Sequence, residues 1–137
     1  MSFELRAHTA DVAVAARGET LGDAYAAVAD GLAAAMCESV PDGGERHQVA
    51  VHSESRESLL FDYLDELIYR RDVDLVLPVD HEASVDFGTE WVLSGSFRGV
   101  PLADVTAREV KAVTYSEMAV ERDEATDEWT AYVVFDV

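Results

Sequence analysis

Residues 59–71, LLFDYLDELIYRR, decide the fold class of this chain, because a helical pattern ends there and a strand pattern begins. Their apolar side chains recur at helical spacing: Leu59, Leu60, Tyr63, Leu64, Leu67 and Ile68. This spacing predicts an amphipathic α-helix, which residues 55–58 lead into and which ends around Arg70 and Arg71. The opposite face of the helix is acidic.

Beyond residue 72 the helical period disappears and a strand-like alternation replaces it. β-Branched and aromatic residues alternate with polar ones over residues 73–87, 91–97, 110–120 and 129–137. Such alternation is typical of half-buried strands, so we predict at least four of them in this half. Residues 87–91 and 123–128 are each predicted to form a hairpin turn.

The first half of the chain predicts strands at residues 3–6 and 12–16, a helix toward Met36, and a strand around residues 49–52. Thr20 followed by Asp23 resembles a capping box at the start of that helix. The order β-β-α-β-α and then four strands predicts an α+β fold, with two helices packed on a largely antiparallel or mixed β-sheet. The length of 137 residues is that of one domain, so we expect a single domain over residues 1–137.

The charge balance is strongly acidic, with 28 Asp and Glu against 10 Lys and Arg and a net charge of -18. Because 49% of the residues are hydrophobic, we predict a folded domain and not a disordered acidic chain. An acidic surface with almost no lysine is typical of proteins from a halophilic, very salty cytoplasm, where the Debye length falls to about 3 Å. The sequence contains no basic patch, which argues against direct nucleic-acid binding.

The sequence contains no apparent membrane or targeting segment. No basic stretch followed by an apolar one opens the chain, and its apolar runs are shorter than the roughly twenty residues that span a bilayer. We therefore expect a cytoplasmic protein without a membrane partner. The single cysteine, Cys37, follows an alanine-rich helical pattern and is interpreted as a small core residue.

Lys111 is the only lysine in the chain, beside nine arginines, and it lies in the apolar stretch EVKAVTY of residues 109–115. An ammonium is a compact and strongly hydrated point charge, unlike the planar guanidinium group. Its retention on a predicted strand favours a specific role for that charge. Survival of one lysine by drift is the alternative, and the sequence leaves it open.

Asp136 ends the polar row of the last predicted strand, next to the α-carboxylate of Val137. Two carboxylates this close repel one another unless a cation lies between them. Mg²⁺ and Ca²⁺ are hard ions that prefer such oxygen ligands. The arrangement indicates a divalent-metal site at the end of the strand, and a frayed acidic terminus is the alternative.

Five short strings occur in order along the chain: HTAD at residues 8–11, GETL at 18–21, LLFDYLDELI at 59–68, KAVTY at 111–115 and VFDV at 134–137. Each string alone is a weak signal, but together and in this order they are specific. The chain resembles the archease family, and the resemblance extends from one end of the sequence to the other.

The resemblance implies an accessory protein that is not itself an enzyme. Its partner would be the RtcB-type RNA-splicing ligase, which joins tRNA halves after intron removal, and archease would promote ligase guanylylation and multiple turnover. The resemblance further implies a site for Ca²⁺ or Mg²⁺ formed by Asp11, Asp136 and Val137. The residues implied in ligase activation are His8, Asp11, Lys111 and Asp136. Ser116 stands where the family often has histidine, so no proton-transfer role is assigned to it.

Two other functions stay open at this point. A metal-dependent phosphoesterase would use Asp11, Asp136 and a bound water. A chaperone-like modulator of an RNA-modifying enzyme, such as a tRNA methyltransferase, would need no such chemistry. The acidic residues on the second helix, Asp62, Asp65 and Glu66, and the string DHE at residues 80–82 are interpreted as solvated surface and not as second metal sites.

Overall fold

The computed structural model describes the backbone of residues 2–8 and 11–137, and the side chains of residues 2–5 and 11–137. The order of its helices and strands is the predicted one. The elements are β1 (Ser2–His8), β2 (Asp11–Gly18), α1 (Leu21–Met36), β3 (Glu45–Ser53), α2 (Arg56–Asp74), β4 (Val76–Phe87), β5 (Trp91–Pro101), β6 (Ala112–Asp123) and β7 (Glu128–Asp136). A short 3-10 turn, Leu102–Asp104, follows β5.

The strands of the described chain form two sheets and not one. The four-stranded sheet has the order β1-β2-β7-β6, and the three-stranded sheet has the order β3-β5-β4. All of these pairings are antiparallel. Both helices contact both sheets, and buried side chains from the two helices and the two sheets form one continuous core. The predicted α+β class with two helices is confirmed. The sequence pattern predicted one sheet, and the structure divides the strands between two.

Helix α1 fits between the two sheets because glycine faces each of them. A Cβ at Gly31 would lie 2.5 Å from Val14 Cγ1 on β2, and a Cβ at Gly22 would lie 2.4 Å from the Ala83 carbonyl oxygen on β4. The hydroxyl of Thr20 accepts a hydrogen bond from the Asp23 amide at 3.1 Å, which caps the first turn as the sequence predicts. The backbone of α1 can therefore approach both sheets closely.

Helix α2 buries the apolar stripe that the sequence predicts. Ser55 caps its first turn through a reciprocal pair of hydrogen bonds with Ser58. The helix ends where Leu75 adopts a left-handed backbone conformation, with φ of 55°. Its buried side chains include the predicted stripe: Leu59, Leu60, Tyr63, Leu64, Leu67 and Ile68. Within the described part of the chain, neither helix is long and apolar enough to cross a membrane.

The two faces of the four-stranded sheet have different environments. Val14 of β2 contacts Gly31 of α1 and is the register partner of Val133 on β7. Directly opposed residues share a face, and successive residues alternate between faces. Asp11 and Asp136 therefore lie on the face that is turned away from α1.

Candidate metal and activation site

Two predicted metal ligands, Asp11 and Asp136, meet at one edge of the four-stranded sheet. Asp11 opens β2, Asp136 closes β7, and the two are register partners. Opposed residues of an antiparallel pair have Cβ atoms about 4.5–5.5 Å apart, and like charges placed so are mutually destabilising. Asp11 is half-buried and Asp136 is exposed. A cation near both carboxylates would offset their repulsion.

Lys111 reaches the same edge from the neighbouring strand. Ala112 opens β6 and is the register partner of Asp136. Lys111 therefore lies one residue before the strand, and the prediction that it lies within the strand was wrong. The Lys111 amide donates a hydrogen bond to the Asp136 carbonyl oxygen at 2.8 Å. The residue itself is exposed. The main chain thus ties the only lysine to a predicted metal ligand.

Val137 supplies the third element of the predicted metal site. It follows Asp136 directly, and its half-buried side chain packs against the core. The carboxylates of Asp11 and Asp136 are hard oxygen donors, which suits Mg²⁺ or Ca²⁺.

The carboxylates do not form a larger cluster. Across the described side chains, no three His, Cys, Asp or Glu residues are arranged so that they could hold a metal ion. Ca²⁺ takes six to eight oxygen ligands and Mg²⁺ takes six, so a metal ion held by Asp11 and Asp136 would need further oxygen donors.

His8 is the fifth predicted site residue, and the structure describes its backbone but not its side chain. It ends β1 and is the register partner of Asp11, so its backbone belongs to the same edge. Its side chain lies outside the described residues, as do Thr9 and Ala10 of the string HTAD. The prediction for the imidazole of His8 therefore stays a prediction.

An irregularity of β6 follows this edge. Its pairing with β7 runs from Ala112 to Thr114 and resumes at Ala119, so four residues of β6 oppose the single residue Val133. Within the interruption Glu117 has φ of 63°, and the Ser116 amide donates to Thr114 Oγ1 at 3.0 Å. Ser116 thus lies in a bulge of β6.

The same bulge brings Tyr115 onto helix α2. Its ring stacks on Phe61, with centroids 4.2 Å apart and planes at 6°. Desolvation and the nearby negative charge of Asp62 both raise the pKa of the Tyr115 phenol. The contact anchors β6 to α2 beyond the site edge.

Arg71 is a residue of this region that the sequence interpretation treated only as the end of a helix. It is buried, and its Nη1 donates to the Val110 carbonyl oxygen at 2.9 Å, one residue before Lys111. The signal in the sequence was its position four residues after Leu67, on the apolar stripe of α2. A charged residue on that stripe needs internal partners.

The residues interpreted as solvated surface behave as predicted with one correction. Asp62 and Asp65 are exposed, and Glu66 pairs with Arg70 at 3.1 Å. His81 is wrongly placed in that group, because its side chain is buried. Its Nδ1 lies 2.8 Å from Asp30 Oδ1 on α1.

Cys37 is buried as predicted, and its thiol donates to the Ser39 carbonyl oxygen at 3.2 Å. A buried thiol held in this way is a packing residue.

Comparison with known sequences finds one family over nearly the whole chain. The family model of the Archease protein family (MTH1598/TM1083) matches residues 3–137. The archease of Methanosarcina acetivorans is 31% identical over 146 residues, which cover 98% of this chain and 95% of the relative. The archease of Pyrococcus furiosus is 30% identical over 135 residues, which cover 95% and 94%.

Solved structures show the same architecture. The solution structure of Methanobacterium thermoautotrophicum protein 1598 has a TM-score of 0.85 and 28% identity, and the match covers 99% of both chains. The crystal structure of a Thermotoga maritima archease, described as a possible chaperone, has a TM-score of 0.66 and 24% identity over 98% of both chains. The second similarity is evidence for the fold alone.

Proposed function

Because the chain belongs to the archease family, we propose that it is the accessory protein of an RtcB-type RNA-splicing ligase. In this role it promotes guanylylation of the ligase and allows multiple turnover in tRNA splicing. Family membership supports an accessory role over an enzymatic one. The ligase partner, the guanylylation step and the metal and activation site are our proposal.

One observation of the structure supports the site: Asp11, Asp136 and Lys111 come from three strands or strand ends and share one edge. Asp11 and Asp136 are register partners, and the Lys111 amide bonds the Asp136 carbonyl oxygen at 2.8 Å. Both Asp136 and Lys111 are exposed. Side chains in this position can reach into a concave surface of another protein.

The chemistry of guanylyl transfer explains why such an edge would help. Negative charge accumulates around the phosphates in the transition state, and fixed cations lower the barrier. The Lys111 ammonium supplies one positive charge, and Asp11 and Asp136 are placed to orient a divalent cation. A divalent ion held there would neutralise phosphate charge and act as a Lewis acid.

The metal is part of the proposal. Asp11, Asp136 and the main-chain oxygens of Val137 would hold Ca²⁺ or Mg²⁺. Isothermal titration with each ion measures this directly. We expect binding by the unmodified protein and a loss of affinity of at least about tenfold in Asp136→Asn, because a neutral amide replaces a charged oxygen ligand. Equal affinity in the two proteins would remove Asp136 from the ligand set.

The functional test is guanylylation and multiple-turnover RNA joining by the cognate ligase, with and without this protein. The assay needs GTP, divalent metal and high potassium. We expect strong stimulation by the unmodified protein. Lys111→Ala and Asp136→Asn should each lower the stimulation at least about tenfold, as expected when a charge that acts on the transition state is removed.

Asp86→Asn is the matched control, because Asp86 is an exposed aspartate on β4, in the three-stranded sheet and not in the sheet that carries the site. It should stimulate like the unmodified protein. Unchanged stimulation in Asp136→Asn would refute the role of the edge. Absence of any stimulation by a folded preparation would refute the ligase partner.

A chaperone-like role is the alternative that the sequence left open, and it makes a different prediction. In that case the protein would copurify with an RNA-modifying enzyme, such as a tRNA methyltransferase, and keep it soluble on heating. Lys111→Ala and Asp136→Asn should then be without effect. Hydrolysis of a generic phosphodiester with Mg²⁺ or Mn²⁺, measured in parallel, tests the phosphoesterase alternative.

A further inference from the structure

We infer that Arg71 is a positioning residue that fixes the peptide unit leading into Lys111. This inference rests on the proposed function for its biological meaning, although the contact can be tested without the ligase. Arg71 belongs to α2 and not to the site edge.

The segment before Lys111 needs such a support because it has no regular secondary structure. Residues 105–111 lie between the 3-10 turn and β6 and belong to neither a helix nor a strand. The segment is held at Arg108, whose amide donates to the Met36 carbonyl oxygen at 2.8 Å and whose Nε donates to the Ala35 carbonyl oxygen at 2.9 Å. These contacts fix its middle and leave the approach to Lys111 to other groups.

Arg71 and Asp136 hold the two ends of one peptide unit. The Val110 carbonyl oxygen accepts from Arg71 Nη1 at 2.9 Å, and the Lys111 amide donates to the Asp136 carbonyl oxygen at 2.8 Å. That carbonyl and that amide belong to the same planar group, so two hydrogen bonds set its orientation. The Val110 side chain is fully buried, which fixes the preceding Cα as well. The starting point of the lysine side chain is thereby defined relative to Asp136.

The guanidinium of Arg71 makes several hydrogen bonds that the packing of α2 alone does not require. Its residue is only 7% exposed. Its Nε and Nη2 bind Asp72 Oδ1 at 3.0 and 2.9 Å, and its Nη1 lies 3.3 Å from Met36 Sδ. A guanidinium presents five donors in a rigid planar fork, whereas an ammonium is a compact charge with three donors on a flexible stem. An apolar side chain would fill this place with less desolvation, so stability alone does not explain an arginine here.

The single lysine makes the test direct, because labelling with ¹⁵N-lysine gives one backbone amide signal, that of Lys111. We expect this amide to exchange with solvent at least about tenfold faster in Arg71→Met than in the unmodified protein, the factor expected for the loss of one hydrogen bond. Arg70→Met is the control, because Arg70 bonds Glu66 and the Gln48 carbonyl oxygen instead. Its Lys111 amide should exchange at the rate of the unmodified protein.

The ligase assay gives the second readout. In Arg71→Met we expect maximal stimulation to fall at least about tenfold while the concentration for half-maximal stimulation stays the same, because docking is retained and the lysine is misplaced. Arg70→Met should change neither value. If Arg71→Met does not fold, Arg71→Gln replaces it, since its shorter side chain also lacks the fork.

The outcomes separate the two proposals. An unchanged Lys111 exchange rate in a folded Arg71 variant, or an equal loss of stimulation in Arg70→Met, would overturn the positioning role. If the unmodified protein does not stimulate the ligase, the proposed function fails, and the exchange rates still decide whether Arg71 fixes Lys111.

Discussion

Two buried tyrosines differ in whether the phenol hydroxyl has a hydrogen-bond partner, and this difference affects the free energy of unfolding. Tyr25 Oη donates to the Arg56 carbonyl oxygen at 2.6 Å, whereas no hydrogen-bond partner of Tyr63 Oη lies among the described residues. Burial raises the pKa of both phenols, and the negative charge of Asp30 adds to the effect at Tyr63. A buried hydroxyl without a partner costs about 1–3 kcal/mol.

Removal of the two hydroxyls should therefore have opposite effects on the free energy of unfolding. Tyr63→Phe is expected to raise it by about 1 kcal/mol, because an unsatisfied polar group disappears. Tyr25→Phe is expected to lower it by about 1 kcal/mol, because the hydrogen bond from this hydroxyl to the Arg56 carbonyl oxygen is lost. Urea unfolding of the two variants checks this, and each serves as the control for the other. Destabilisation of similar size in both would mean that the Tyr63 hydroxyl has a partner.

At the scale of elements, the contact of α1 with β2 depends on the absence of a side chain. A Cβ at Gly31 would lie 2.5 Å from Cγ1 of Val14, and Val14 is fully buried. A β-branched side chain has little rotamer freedom, so it cannot move aside cheaply. Close helix-sheet packing here outweighs the usual cost of glycine inside a helix.

Gly31→Ala should consequently lower the free energy of unfolding by about 1–3 kcal/mol through overpacking, despite the higher helix propensity of alanine. The double variant Gly31→Ala with Val14→Ala should recover part of this loss, since the second change removes the clash. Gly88→Ala in the β4–β5 turn is the control, because, apart from its two chain neighbours, no described residue has an atom within 4 Å of its Cβ position. Thermal unfolding measures all three, and a stabilised Gly31→Ala would contradict the packing argument.

The elements themselves were predictable because each carries a local signal. The period of α2 and the alternation in β7 are properties of adjacent residues, so type and order followed from the sequence. Strand pairing is not a local property, because no sequence feature near Asp11 or Asp136 indicates that the two residues are register partners. The burial of His81 against Asp30 and of Arg71 against Val110 also depends on segments far apart in the chain. Lys111, Asp136 and Val137 were therefore singled out from local sequence and Asp11 and His8 through the family resemblance, whereas the pairing of Asp11 with Asp136 was not predicted.

At the scale of the whole molecule, the excess of negative charge determines how stability depends on salt. The net charge is -18, and Arg17, Arg46 and Arg98 each lie within 4.0 Å of carboxylates. The excess of carboxylates remains and repels itself in the folded state. Salt screens such repulsion, with a Debye length of about 10 Å at 0.1 M and about 3 Å at 1 M.

We therefore predict that the melting temperature rises by roughly 5–10 °C between 0.1 and 2 M KCl, as relief of about 1–2 kcal/mol of repulsion would produce. A triple variant that neutralises exposed carboxylates, Asp65→Asn with Glu121→Gln and Glu124→Gln, should melt higher at low salt and respond less to KCl. Differential scanning calorimetry at a series of KCl concentrations measures both. A salt response of equal size in the two proteins would show that screening is not its cause.

The pairing of β2 with β7 also has a consequence for how the protein folds. Contacts between segments far apart in sequence carry a high loop-closure entropy and form slowly. Helices α1 and α2 are local and can form without that pairing. A chain arrested before β2 and β7 have paired would have helical circular dichroism close to the native value and no assembled edge. We therefore expect the edge to form late in folding, so that an intact metal site would indicate that β2 and β7 have paired.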